Sequence, residues 1–241
     1  PLRLKGRVHA TEARLLRAHT AKQIKFTLPG PMTIVDTVAN GSQRHYPDRV
    51  AMAFAFAELL NQEALALQAD GVDIIQFDEP AFNVYLDEAA TWGVQALERA
   101  AQGLTCKTAV HICYGYGIEA NIAWKKTLGD QWRQYETVFP ALAASRIDQV
   151  SLECIHSQVP PELMALLTGK EVMVGVIDVA SDVVETPEDV ADTIGRALQF
   201  VPRHRLIACT NCGLAPMQRA VAEAKLRALA DGAALARQRY A

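Results

Sequence analysis

Short runs rich in Val and Ile alternate along this chain with longer amphipathic stretches, and that alternation limits the possible folds most tightly. Strands are expected at 24–28, 73–77, 108–112, 149–152, 171–175 and 205–209, most of them followed by polar residues, Gly or Pro. Helices are expected at 48–69, 89–102, 129–144, 160–167, 187–200 and 216–230. Asp48 follows Pro47 and is placed to cap the first of them, and Pro216 sits in the first turn of the last. Strands separated by helices run parallel, because only a crossover connection returns the chain to the same end of a sheet. A doubly wound sheet and a (β/α)8 TIM barrel both satisfy this. No Gly-rich phosphate-binding turn opens a helix, which counts against the doubly wound nucleotide-binding type. The loops after the strands carry Pro29-Gly30-Pro31, Asp78-Glu79-Pro80, Cys113, Glu153, Asp178 and Cys212. Chemistry spread over the C-terminal ends of many strands is how a barrel works. The expected class is therefore α/β, a TIM barrel. Six strands do not close a barrel of eight, and residues 1–23 read as one charged helix (Glu12, Arg14, Arg17, Lys22). The chain is expected to cover strands three to eight, with the first two missing, as one N-terminally incomplete domain over 1–241.

The bulk properties exclude several classes. With 241 residues there is material for one sizeable core but no need for two. A net charge of −3 gives no electrostatic reason to bind nucleic acid or an anionic membrane surface. The most apolar run, 50–67, is interrupted by Glu58, Asn61, Gln62 and Glu63, so no membrane span is expected. Residues 1–5 contain no apolar core of a signal peptide. Five cysteines, an odd and low number, point to reduced thiols and a cytoplasmic setting rather than a disulfide scaffold.

His111-Ile112-Cys113 is the fragment with most chemical content. Residues two apart on a strand share a face, so the imidazole and the thiol can meet one ion, and imidazole plus thiolate is a zinc-type donor pair. The competing reading is a buried Cys beside a core His. Cys212 lies just past the last strand in Cys209-Thr210-Asn211-Cys212-Gly213, a spacing that also permits a redox C-x-x-C pair. Glu153 ends an apolar strand, where a carboxylate could ligate a metal, act as a base, or form a rim salt bridge. All four residues fall at the C-terminal ends of expected strands, and together they would hold zinc tetrahedrally.

At this point the sequence resembles the C-terminal catalytic barrel of cobalamin-independent methionine synthases, from about Lys25 to Ala230. The resemblance rests on Leu28-Pro29-Gly30-Pro31-Met32-Thr33, Ile75-Gln76-Phe77-Asp78-Glu79-Pro80-Ala81, His111-Ile112-Cys113-Tyr114, Leu152-Glu153 and Cys212-Gly213-Leu214. It implies zinc (Zn2+) bound by His111, Cys113, Glu153 and Cys212, with Asp78 on the amino group of homocysteine. It also implies that the first two barrel strands precede the Pro-Gly-Pro segment. The chain departs from folate-using members at two points. Asp36 and Thr37 stand where those members have Asn-Trp, and Ala180 stands where they have a proton-donating His. It looks like the short, single-barrel branch, whose methyl donor would be a methyltetrahydrofolate, a methylcorrinoid protein or another carrier, with an accessory protein conceivable.

The implied reaction methylates the homocysteine thiol to methionine. Asp78 would hold the substrate ammonium by a charge-assisted hydrogen bond. Glu79 is read as orienting Asp78, reaching substrate, or forming a rim ion pair. Tyr114 and Tyr116 either wall the site or pack. Asp178 contacts substrate or caps the turn after it, and His156 is the candidate proton donor in place of the missing His. Cys154 and Cys209 read as packing thiols. Two rivals share the zinc: alkylation of another small thiol, for example by an epoxide, and a non-catalytic zinc-stabilised binding module.

Overall fold

The computed structural model describes every residue except 42, 116–118 and 156, and the side chains of 119–121. The chain divides into two compact units. The first comprises Pro1–Ile112 with Ala144–Gln149, the second Cys113–Ala143 with Val150–Ala241. Six strands follow one another in sheet order: β1 (Lys25–Pro29), β2 (Ile74–Asp78), β3 (Lys107–Ile112), β4 (Gln149–Glu153), β5 (Glu171–Ile177) and β6 (Leu206–Thr210). β1 pairs parallel with β2, β2 with β3, and β5 with β6. The α/β class with parallel strands is as expected, and all six strands lie within two residues of their expected positions.

In the first unit the register sets Pro29 beside Asp78 and Asp78 beside His111, so the ends of β1, β2 and β3 are level. Leu28, Ile75, Phe77, Val110 and Ile112 form the buried faces of these strands. Helix α1 (Ala10–His19) is the only part of 1–23 that is helical; Arg7 and Arg14 flank and enter it, and both pair with Asp70 at 2.8 Å. Helix α2 (Pro31–Thr37) follows β1 directly and was not apparent from periodicity, because seven residues are two turns and show no repeat. Helix α3 (Arg49–Ala69) starts as expected: the Asp48 side chain accepts from the Ala51 N–H at 2.8 Å. By length and composition α3 is a candidate membrane-crossing helix, contrary to the expectation drawn from its polar residues. Its polar positions are nevertheless used internally. Buried Asn61 donates to the Ala100 and Gln102 carbonyls, and buried Glu63 binds Arg7 and the His9 N–H. The helix expected at 89–102 is broken into α4 (Leu86–Glu88), a π-type turn at Ala89–Gly93 and α5 (Val94–Ala100). At Gly93 a side chain would meet Met32 Sδ and Phe82 Cε1 at 3.0 Å, so the close approach there accompanies the irregular turn.

The helix expected at 129–144 is the shorter α7 (Tyr135–Ala144), and a further helix, α6 (Glu119–Lys125), precedes it where none was expected. The segment 160–167 forms a 3-10 helix at Pro161–Leu166. Helix α8 (Pro187–Ala197) has a capping box, in which Thr186 and Asp189 satisfy each other's backbone N–H groups. Helix α9 (Arg219–Arg239) closes the chain and runs nine residues beyond its expected end at 230. Gly232 makes its contact with α8 possible, since a Cβ there would lie 2.4 Å from the Val190 side chain.

Candidate metal centre

His111 is the fifth residue of β3, and Cys113 follows the strand directly. Both are buried, as the shared-face argument requires. Cys212 follows β6 after two anchors. Asn211 is fully buried; its backbone N–H donates to the Ile177 carbonyl at 2.9 Å and its side-chain amide to the Ile155 carbonyl at 2.7 Å. Its side-chain oxygen accepts from the Cys154 N–H at 3.1 Å. The Thr210 hydroxyl donates to the Cys212 carbonyl at 2.8 Å. Gly175 leaves the space Asn211 needs, since a Cβ would fall 2.2 Å from the Asn211 side-chain oxygen. Sequence reasoning passed over Asn211 because it looked like the spacer of a C-x-x-C motif.

These anchors bring Cys212 Sγ to 3.9 Å from Cys113 Sγ. The ligand atoms of His111, Cys113 and Cys212 all lie within 4.8 Å of one another. Two sulfurs about 2.3 Å from one tetrahedral zinc stand roughly 3.8 Å apart, so the observed sulfur separation suits a shared ion and is far too long for a disulfide. All five cysteines are free thiols. The cluster takes Cys212 and not Cys209, whose sulfur faces the Ser151 hydroxyl at 3.8 Å. The redox pairing of Cys209 with Cys212 is therefore not the arrangement adopted.

Electrostatics point the same way. The adjacent Cys212 sulfur and burial push the Cys113 thiol well above its ordinary value, and the Glu153 carboxylate adds to this. A thiol buried against a second sulfur resists ionisation unless a cation is shared between them. The donor set is soft sulfur plus imidazole, which suits a zinc-type ion. Glu153 is fully buried at the end of β4 but is not one of the three residues gathered in the cluster.

The remaining expected site residues divide. Asp78 is half-buried beside His111 in the strand register and accepts from the Gln76 side-chain amide at 2.9 Å. Glu79 is completely buried, and both carboxylate oxygens are engaged by α2. Oε1 accepts from the Met32 N–H at 3.0 Å; Oε2 accepts from the Thr33 N–H at 2.8 Å and the Thr33 hydroxyl at 2.7 Å. This corrects the rim ion pair considered for Glu79, because the residue is inside and its partners are neutral donors. Burial raises its pKa to about 7 against the three hydrogen bonds that hold the charged form, with Asp78 adding to the rise. Asp178 does cap the turn after it, accepting from the Ala180 N–H at 2.8 Å. Together with Glu153, Trp132 and Ala180 it lines a cavity of about 710 Å³. Tyr114 packs among Trp124, Trp132 and Tyr135 at centroid distances of 4.8–5.7 Å, and its hydroxyl donates to the Gln134 side chain. Burial, then the Glu153 charge, pushes its phenol upward. His156 and Tyr116 lie outside the described residues. Thr37 ends α2 with its hydroxyl turned back on the Thr33 and Ile34 carbonyls.

Parallel strands with an imidazole and two thiols gathered at their C-terminal ends define an α/β protein with a group of side chains that could hold a metal ion. The chain belongs to the cobalamin-independent synthase family, catalytic domain, whose profile matches residues 5–235. It is 55% identical to a B12-independent methionine synthase from Shewanella sp. W3-18-1, solved in complex with selenomethionine. That superposition has a TM-score of 0.95 and covers 100% of this chain and 70% of the other. The expected TIM-barrel class stands with it, since that protein's catalytic domain is a TIM barrel and six parallel strands are part of one. A methionine synthase from Saccharolobus islandicus is 32% identical over 217 residues, 89% of this chain and 59% of that protein. A putative vitamin-B12 independent methionine synthase from Listeria monocytogenes shares the fold at 14% identity, with a TM-score of 0.66 over 96% of this chain and 71% of that one. The chain thus spans about 59% of the length of the curated relatives it matches.

Proposed function

We propose that the chain is the zinc-dependent methyltransferase domain that converts homocysteine to methionine with a methyltetrahydrofolate or another methyl carrier as donor. The observation that carries this reading is the His111–Cys113–Cys212 cluster in a member of the cobalamin-independent synthase family. Selenomethionine bound to the 55%-identical Shewanella protein is a product analogue of the same reaction, which supports the choice of thiol.

In this reading His111, Cys113 and Cys212 hold the zinc, with Glu153 as the fourth ligand. When bound, the ion supplies a positive charge that makes a thiol ionise near neutral pH, where little of it would otherwise be nucleophilic. Asp78, level with His111 at the strand ends, accepts hydrogen bonds from the substrate ammonium and so aims the sulfur at the cluster. Glu79 acts behind it. By binding the N-terminus of α2 it fixes the β2 end from which Asp78 projects, and thus positions the substrate contact. Asp178 faces the cavity beside Glu153, and His156 is the candidate acid for the departing carrier. The net change is loss of the thiol proton and formation of a sulfur–methyl bond. The carrier leaves with the electron pair of its broken methyl bond and takes up a proton. Thr37 and Ala180, in place of the aromatic and the His of folate-using members, make the donor side the place where this chain is expected to differ. The cytoplasm is the expected compartment, and a methyl-carrier or accessory protein a possible partner.

The direct test supplies the full-length protein with homocysteine and a panel of methyl donors and measures methionine. Cys212→Ser and His111→Ala should each lose the bound zinc and the activity, and Asp78→Asn should raise KM for homocysteine about 10- to 100-fold by removing a charge-assisted hydrogen bond. Full zinc retention in both ligand variants, or product with none of the donors, would sink the assignment.

A further inference from the structure

The chain from Asp178 to Thr186 contains neither helix nor strand, yet it carries one wall of the cavity next to Glu153. One buried ion pair ties it down. Lys225, in the second turn of α9, is 0% exposed. Its ammonium donates to both Glu185 carboxylate oxygens, at 3.1 and 2.9 Å, and to the Val183 carbonyl at 2.5 Å. All three of its donors are therefore directed at this segment. Glu185 Oε1 also accepts from the Asp178 N–H at 2.8 Å, and Asp178 Oδ1 accepts from the Ala180 N–H at 2.8 Å. A continuous line of charge-assisted contacts thus runs from α9 through Glu185 to Asp178 and Ala180.

A buried ion pair is a poor device for stability, because removing two charges from water offsets most of their attraction, and an apolar pair of similar volume does as well. Its distinctive property is direction. Three fixed donors hold a segment that has no ladder or helix bonds to keep its shape.

We propose that Lys225 and Glu185 are positioning residues for the reaction, clamping 178–186 so that Asp178 and Ala180 stand at a set distance from Glu153 and the substrate. The proposal rests on the methyl-transfer reading of that site for its kinetic consequence, and on geometry alone for its structural one.

The test uses the full-length protein carrying Glu185→Gln, Lys225→Met, or the double change Lys225→Met/Glu185→Leu. The double variant replaces the pair by apolar side chains and so keeps the comparison usable if either single variant fails to fold. Expected for the double variant are wild-type zinc content and cooperative melting. Amide hydrogen exchange in 178–186 should be about tenfold faster or more, with β5 unchanged, as for local opening of a released segment. KM for homocysteine should rise about tenfold while kcat changes less, because binding geometry and not the reacting groups is altered. A merely structural pair would leave both readouts at wild type once packing is restored, and that result in the folded double variant would overturn the proposal. If wild type methylates no thiol, the functional reading fails by itself and the exchange of 178–186 still decides whether the clamp exists.

Discussion

Two buried glutamates hold two loops of this protein by different chemistry. Glu79, just past β2, is held by backbone and hydroxyl donors of α2. Glu185, nearly as buried, is held by the Lys225 ammonium and in turn holds the Asp178 N–H. The partner of Glu185 is a side chain and can be removed with it. The partners of Glu79 include two backbone N–H groups that no change of side chain short of proline removes. The difference teaches which of the two junctions can be replaced by packing and which is obligatory.

The widest separation between them is expected in unfolding free energy. Lys225→Met leaves the Glu185 charge buried without its cation and should cost about 3–5 kcal/mol, recovered in large part by adding Glu185→Leu. Glu79→Leu leaves three donors without their acceptor and should cost at least roughly 3 kcal/mol, with no second-site apolar change restoring it. Equal recovery of both in denaturant titrations would remove the distinction.

A smaller effect is expected at Gly30. A Cβ there would sit 2.1 Å from Glu79 Cδ, so Gly30→Ala must displace the carboxylate or α2 and should cost roughly 1–3 kcal/mol. The same change in a Glu79→Ala background should be milder, because the obstacle is gone. Additive losses would show that Gly30 is needed for some other reason.

The pH dependence sharpens the contrast further. The Glu79 pKa rises from an ordinary 4.5 to about 7 on folding, so between these values the folded protein holds a proton that the unfolded chain has released. The contribution is complete below about pH 4.5 and is lost as pH rises through 7, with a slope of at most about 1.4 kcal/mol per pH unit. Glu79→Gln should flatten that part of the stability profile. An unchanged profile would mean the hydrogen bonds to α2 outweigh burial. The smallest effect is expected at Asp48, an exposed helix cap, where Asp48→Ala should cost about 1 kcal/mol and set the scale for the buried junctions.

Local signals were read well where they were local. The Asp48 cap, the strand positions and the shared face of His111 and Cys113 follow from spacing over a few residues. Longer reach failed in identifiable ways. The apolar pattern of 89–102 reads as one helix, but packing of Gly93 against Met32 and Phe82 accompanies an irregular turn in it. The burial of Glu79 is not legible because nothing in its neighbourhood in sequence announces that α2, 46 residues earlier, turns its N–H groups toward it. Lys225 carries no signal in its local sequence, since its partner lies 40 residues away.

By itself the sequence determined that this is a parallel α/β protein with its chemistry at strand ends, and that His111 and Cys113 share a face. Those properties follow from side-chain alternation and helix periodicity, which act over neighbouring residues. Only the tertiary structure decided that Cys212, 99 residues from Cys113, arrives 3.9 Å from it while Cys209 does not. It alone decided that Glu79 and Lys225 are turned inward. The physical reason is that strand register and the placement of buried amides such as Asn211 fix distances between remote residues, and neither is encoded in any short stretch of the chain.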